Sequence, residues 1–406
     1  MKTVVIGAGA SGMMCAATAA LNGAEVILVE RNDRCGRKLG ITGKGRCNVT
    51  NACSQEEFLK NVVRNPRFLY SALSSFSVED TVTFFESLGV PMKTERGNRV
   101  FPVSDRASDV VNALQRHCTD CGVTLRKGYV CKILMKEGAV CGVAFSDGTV
   151  LSCDKVCIAC GGASYPVTGS DGNGYRLAEC CGHSIVTPRP SLVGWEVVEA
   201  DFCASLQGLS LKNTVLRVES EGKTVFTDFG EMLFSHFGVT GPIVLTASTV
   251  LQSGMKLIFD LKPALTEAQL DKRLLADFEK YRLKNLANGF DDLLPSKMIL
   301  PFLDLCELNP TDKVHTLTKE QRSTILSNLK ALTLTARSPR PLAEAIVTAG
   351  GVSVSEVDPK TMSSKICKGL YFCGEVLDVD AYTGGFNLQI AFSTGYVAGL
   401  ALADLR

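Results

Sequence analysis

Nowhere does the sequence carry about 18 uninterrupted apolar residues, the length a helix needs to cross a bilayer, so no spanning segment is expected. An excess of one charge is also missing: Lys and Arg number 43 against 42 Asp and Glu, with no block of like sign. That balance points to neither a nucleic-acid nor a membrane surface, and a small-molecule partner is expected instead. The apolar start, Thr3 to Leu21, is interrupted by Gly7, Gly9 and Gly12 and lacks a small-residue cleavage site, which argues against an export signal and for a cytoplasmic protein. The seventeen cysteines, scattered through candidate strands and helices, then read as reduced thiols. At 406 residues the chain exceeds the roughly 250 to 300 that a single core organises, so more than one domain is expected, while oligomeric state is left open.

What is present begins at the N-terminus. Thr3-Val4-Val5-Ile6 reads as a buried parallel strand, and Gly7-Ala8-Gly9-Ala10-Ser11-Gly12 leads directly into an Ala-rich helix, Met13 to Leu21. This is G-x-G-x-x-G in the strand-turn-helix setting that gives it meaning. Gly7 suits the tight turn, Gly9 the backbone approach to a pyrophosphate, and Gly12 the close packing of helix on strand, with the phosphates on the helix N-terminus. Asn22-Gly23 stops the helix and Glu25 to Val29 forms a second strand ending at Glu30, whose carboxylate is placed for a ribose diol. An acid there disfavours a 2'-phosphate, leaving NAD or the adenosine half of FAD. The following stretch, Arg31 to Asn48, reads as a long basic Gly-rich loop that suits a longer anionic ligand, with Lys38, Lys44 and Arg46 as candidate contacts; a solvated loop is the alternative.

From this loop onward the sequence resembles the BaiN/YhiN-like flavoproteins, also called aminoacetone-oxidase-like or NAD(P)/FAD-dependent oxidoreductases. Four further segments carry the resemblance: Gly97 to Ser104, Gly230 to Pro242, Thr348-Ala349-Gly350-Gly351-Val352, and Gly374 to Gln389. It implies an α/β fold with a glutathione-reductase-like Rossmann FAD domain and β-rich and helical inserted subdomains. The domains expected are 1–190 with 335–406 for FAD, 191–263 with 333–340 for the β-rich insert, and 264–332 for the helical insert. Cofactor contacts expected from motif and resemblance together are Gly7, Gly9, Ala10, Ser11, Gly12, Glu30, Arg31, Arg37, Lys38, Gly43, Asn48, Val130, Gly161, Gly374, Glu375, Asp378, Gly385, Asn387 and Leu388. Val130 would meet the adenine through its backbone. The family pattern more often has glycine at Ala381 and tyrosine at Phe386, departures beside the expected flavin that bear on substrate. Its bile-acid member implies reduction of conjugated C=C bonds in a 3-oxo steroid acid, an apolar substrate with an oxo group, whereas its other named member implies oxidation of a small amine such as aminoacetone.

Between these motifs, helices are expected over Glu56 to Phe76, Ser77 to Leu88 and Asp105 to Cys118. Short strands at Val123 to Arg126, Tyr129 to Met135, Val140 to Phe145 and Thr149 to Ser152 form a β-meander, and Asp154 to Cys160 resumes the Rossmann sheet before Gly161-Gly162. Thr214 to Val218, Lys223 to Phe226 and Lys256 to Leu261 are the insert's strands. Leu265 to Leu332 has helical periodicity broken at Pro295, Pro301 and Pro310. Gly369 to Phe372 is the last strand, and Gly384-Gly385-Phe386-Asn387 opens a helix, Leu388 to Leu402, whose N-terminus would face the flavin.

A second strand-preceded G-x-G-x-x-G is missing, so NADH or NADPH is expected as a transient electron donor without its own dinucleotide fold. The mechanism expected is hydride transfer from nicotinamide to flavin and from flavin to a conjugated substrate, with His236 and Tyr382 as the candidate catalytic proton donors by residue type. No metal is expected. Cys118-x-x-Cys121 and Cys157-x-x-Cys160 admit a dithiol alternative, although Cys157 and Cys160, three apart in a strand, face opposite sides. A non-enzymatic FAD-bearing scaffold is the remaining alternative.

Overall fold

The computed structural model describes residues 1–404 and divides the chain into two compact units, Met1–Ser191 with Leu342 onward, and Leu192–Pro341.

The first unit is organised by a five-stranded parallel sheet of β1 (Lys2–Ile6), β2 (Glu25–Glu30), β3 (Thr124–Lys127), β4 (Lys155–Ile158) and β5 (Leu370–Phe372), in the order β5-β4-β1-β2-β3. Its central strands are near-continuous apolar runs because both faces are covered; Val4, Val5, Val156, Cys157 and Ile158 are all 0% exposed. On one face lie α1 (Ala10–Leu21) and α2 (Phe386–Leu402), helices from opposite ends of the chain. They pack along a seam of small residues: a Cβ at Gly395 would stand 2.5 Å from the Ser11 carbonyl oxygen, and one at Gly399 2.6 Å from the Thr18 Cβ. Lys155 at the start of β4 closes the other end of α2. Its ammonium, held in the core, donates to the carbonyls of Ala401 (3.2 Å) and Leu402 (3.0 Å) and pairs with Asp404, so a cation sits on the negative end of the helix dipole.

Several expectations are corrected locally. The basic stretch after Glu30 contains a short helix, Arg37–Gly45, which Thr42 leaves at ψ 150 before Gly43 and Lys44 turn left-handed. The helix expected over 56–76 is broken into Gln55–Lys60, a 3-10 turn Pro66–Leu69 and Tyr70–Ser75, because Asn65 adopts φ 51 before Pro66. Thr124–Lys127 pairs with β2 in parallel, so the meander is Val130–Lys136, Ala139–Phe145 and Val150–Ser152 alone.

The second unit is a closed six-stranded barrel of Trp195–Val197, Ser210–Ser220, Lys223–Ser235, Gly238–Thr240, Lys256–Asp260 and Leu332–Pro339, with helices Glu267–Lys280, Ser296–Leu305 and Lys319–Lys330. Inward residues follow period two, as Leu216 and Val218, Met232 and Phe234, Leu257 and Phe259, and Leu332 and Leu334 are all at most 1% exposed. The central hairpin is longer than expected, since closure recruits polar flanks that alternate less clearly. Pro301 lies inside a helix rather than breaking it, whereas Pro295 caps that helix.

The α1–α2 seam leaves no room for a side chain. Gly399→Leu is expected to destabilise the first unit by about 1–3 kcal/mol, the usual cost of overpacking, lowering the urea midpoint with little change in slope.

Candidate functional site

Gly7 closes β1 at φ 104, where a Cβ would stand 2.6 Å from the Ala159 carbonyl oxygen, and its N–H is held by Val29 O at 2.8 Å. The turn is therefore tied to the ends of β2 and β4 together. Gly9 is the N-cap of α1 with no side-chain cap, and a Cβ there would meet open space. Ala10, Ser11 and Gly12 form the first turn of α1, whose first N–H groups receive no side-chain cap from Gly9. Glu30 ends β2 with Oε2 accepting from the Ala8 N–H at 2.9 Å and Oε1 from the Asn32 N–H at 2.8 Å. Its carboxylate is fixed beside the glycine turn before any ligand binds.

The chain's distant segments converge on Glu375. Its Oε2 accepts from Lys38 Nζ at 2.7 Å and its Oε1 from the Thr348 N–H at 2.8 Å, while the Thr348 hydroxyl accepts from the N–H groups of Ala163 (2.9 Å) and Ser164 (3.1 Å). Lys38 also donates to the Ser164 hydroxyl at 2.7 Å. Gly161, at φ 72, places its missing Cβ 3.8 Å from Glu375. Thr348, Ser164 and Thr394, whose hydroxyl accepts from the Gly374 N–H at 3.0 Å, escaped the sequence reading because Ser and Thr give no periodic signal.

The start of α2 is built with equal care. Gly385 caps it at φ 102, and a Cβ there would lie 2.3 Å from the Thr50 carbonyl oxygen. Asn387 holds the preceding loop, accepting from the Ala381 N–H (3.0 Å) and donating to Ala381 O (2.7 Å), and Leu388 follows half-buried. One turn on, Gln389 is 0% exposed and bonds Thr50, Ser393 and the carbonyls of Phe76 and Ser77. Asn51 donates from the same short strand to the carbonyls of Gly384 (3.0 Å) and Gly97 (3.1 Å).

The loop between Glu375 and Gly385 carries two carboxylates. Asp378 accepts from Asn65, and Arg64 stands 3.6 Å from Asp378 and 3.3 Å from Asp380. Asp380 also accepts from the Ser191 hydroxyl at 2.8 Å. Burial pushes the Asp380 carboxyl above the ordinary aspartate range, against the opposing pull of Ser191 and Arg64. Tyr382, next in the chain, is half-buried and held through its N–H by Asn61 O.

Arg31 is committed to Asp171 at 2.5 Å and stacks over Tyr129, Arg37 donates to Asn32, and the Val130 carbonyl accepts from Asn173. Gly43 turns left-handed against Asn48, whose Oδ1 is buried without a partner. His236 belongs to the second unit, exposed in the turn after strand Lys223–Ser235, with Ser235 Oγ at 3.5 Å and the Phe237 ring edge-on at 5.2 Å. All seventeen cysteines are free. Cys157 and Cys160 face apart as the strand period requires, Cys157 toward Cys373 and Cys160 toward the Ile6 carbonyl.

The uncapped helix starts at Gly9 and Gly385, which offer N–H donors at separated points, and the unpartnered Asn48 Oδ1, which offers an acceptor, fit a dinucleotide with a diphosphate and a far ring carrying both donors and acceptors.

Comparison with known proteins gives the same architecture. The HI0933-like protein Rossmann domain family matches residues 1–401. A 3-dehydro-bile acid delta(4,6)-reductase of Clostridium scindens is 32% identical, covering 98% of each chain. The ribosomal RNA dihydrouridine synthase of Escherichia coli is 30% identical over 97% of this chain and 96% of its own. Among solved structures, the 3-ketosteroid-delta4-(5alpha)-dehydrogenase of Rhodococcus jostii shares the fold at TM-score 0.56 and 14% identity, covering 99% and 96%.

Two outcomes test the site. Glu375→Ala strands the Thr348 N–H and Lys38 together and is expected to cost about 1–3 kcal/mol and to lower FAD per chain, read by thermal midpoint and released flavin. Asp380 with a raised folded pKa favours the fold below the ordinary aspartate range, a contribution lost as pH climbs through that raised value. Asp380→Asn is therefore expected to flatten this decline, measured as urea midpoints from acid to neutral pH.

Proposed function

The chain belongs to the HI0933-like Rossmann family and is a flavin-dependent oxidoreductase, and on that premise we propose that it uses NADH or NADPH to reduce a C=C bond conjugated with a carbonyl group. The single observation carrying this reading is the agreement of two relatives' names on one bond type. A delta(4,6) reduction of a 3-oxo steroid and the synthesis of dihydrouridine both saturate a C=C conjugated with an oxo group. Bound FAD supplies a hydride donor for the carbon far from the carbonyl. The chain's part is to hold, orient and polarise. The α2 N-terminus at Gly385, held by Gln389 and Asn387, would offer uncompensated N–H groups and positive dipole to an anionic edge of the bound flavin. The α1 N-terminus would hold the diphosphate, and Lys38, held in place by Glu375 and Ser164, would face the diphosphate or the flavin. Tyr382 is the proton donor we favour within the first unit, since its backbone is pinned by Asn61 while its phenol is only half-buried. His236, exposed in the second unit, is the second candidate by residue type.

The first substrate reading is a 3-oxo steroid acid. A second, uracil within ribosomal RNA, is favoured by the exposed Arg96 and Arg99, which flank the Gly97 turn that Asn51 ties to Gly384 at the start of α2. Cationic groups there suit a polyanion.

Anaerobic mixing of the yellow holoprotein with each nicotinamide is expected to bleach the flavin, and a 3-oxo-4,6-diene steroid acid or unmodified ribosomal RNA to restore it with a saturated product seen by mass spectrometry. Reoxidation by neither, together with bleaching by aminoacetone, would replace the reductase reading with an amine oxidase. Tyr382→Phe is expected to lower kcat by about 10²–10⁴ without loss of FAD.

A further inference from the structure

Cys15 on α1, Cys157 on β4 and Cys373 just after β5 come from segments far apart in the chain, yet their Sγ atoms lie within 4.8 Å of one another. All three residues are 0% exposed, and the Cys157 and Cys373 sulfurs are 3.6 Å apart. Ser11 of the nucleotide turn hydrogen-bonds Cys373, but the flavin reading gives none of the three thiols a role.

Geometry narrows what they can hold. Cys157 is opposite Tyr371 in the parallel register, which puts Cys373 two positions further along β5. From strand spacing and rise, that diagonal separates the two Cα atoms by about 8 Å, beyond disulfide reach without moving the backbone. Structural zinc takes four ligands in a tetrahedron, and among the described residues this group offers three. Charge narrows it further. A monovalent or divalent ion on three thiolates would leave net negative charge in a closed apolar core, a costly state with no counter-ion in the group. A trivalent thiophilic centre bound by three thiolates is neutral. Burial pushes the Cys15 and Cys157 thiols well above their ordinary range, whereas hydrogen bonds from those two thiols hold Cys373 well below it.

We propose that Cys15, Cys157 and Cys373 form a binding site for trivalent arsenic, taken up as uncharged arsenous acid. Three S–H and three As–O bonds break, three As–S bonds form and three water molecules leave; no electrons are transferred. The adduct ties α1, β4 and β5 together beneath the nucleotide turn. Because the sulfurs are closed to solvent, entry requires local opening of the unit, so uptake is slow and accelerates on warming.

The test uses FAD-loaded protein incubated with one equivalent of arsenite. Intact-mass measurement is expected to show one arsenic per chain with three protons lost, and arsenic X-ray absorption three sulfur neighbours and no oxygen. Cys15→Ala and Cys157→Ala are each expected to lose the three-sulfur signature, whereas Cys131→Ala, which removes an exposed thiol, keeps it. Visible and far-ultraviolet spectra report whether each variant is folded and loaded; Cys15→Ser serves if an alanine variant is not. A signature that survives both core substitutions would overturn the proposal. So would oxygen retained on arsenic, no uptake at any temperature below unfolding, or binding of zinc or copper(I) by the trio in place of arsenic.

Discussion

The first unit rests on the contact between its first and last helices. α1 and α2 pack backbone to backbone along Gly395 and Gly399, and this seam brings the C-terminal segment to the nucleotide turn made by the N-terminal one. A helix buried nearly all round has no amphipathic choice of orientation, so its position must be set at its ends. The polar network of Gln389 and Ser393 fixes the start, and the Lys155 ammonium fixes the finish. Each end uses a buried polar group whose solvation was lost on folding, and each repays that cost only in this one placement. The result is a helix start whose direction does not depend on a ligand being present.

The same logic governs the charged cluster. Glu375 is shared by a lysine, a backbone N–H and a hydroxyl donated from three other segments, so removing any one partner leaves the others imperfectly solvated. Asp380 is the less comfortable member, since Arg64 is spread over two carboxylates and neither Oδ1 atom is fully satisfied. Discomfort of this kind concentrates in the loop that leads into α2.

Legibility followed the strength of local signals. The glycine turn, Glu30 and Gly385 were readable because backbone geometry there admits few residues, and the period-two core of the barrel was readable in fragments. What escaped was set by contacts across long sequence separations. Thr348, Ser164 and Gln389 matter through partners up to 339 positions away, as for Gln389 with Thr50, and no window along the chain contains both. Thr124–Lys127 was assigned to the meander because a four-residue strand carries no record of which sheet it joins. Pro301 was read as a break because proline's cost in a helix is local, whereas the burial of Met298, Ile299, Phe302 and Leu303 around it is a tertiary gain that outweighs the lost bond.

Fold and chemistry constrain the substrate unequally. The Rossmann unit and its cofactor contacts would serve oxidation and reduction alike, so they say little about direction or partner. What the relatives share is narrower: an alkene made electron-poor by a carbonyl, which needs a hydride delivered to one carbon and a proton to its neighbour. A steroid ring and a uracil ring present that unit in planes of similar width but in opposite surroundings, one apolar and one polyanionic. Discrimination must therefore come from groups that meet the remainder of the molecule and not the reacting bond. On the proposed RNA reading those would be the arginines of the Gly97 turn, whose Gly97 carbonyl Asn51 ties to the Gly384 carbonyl before α2, where a phosphate chain would gain from them and a hydrocarbon skeleton would not.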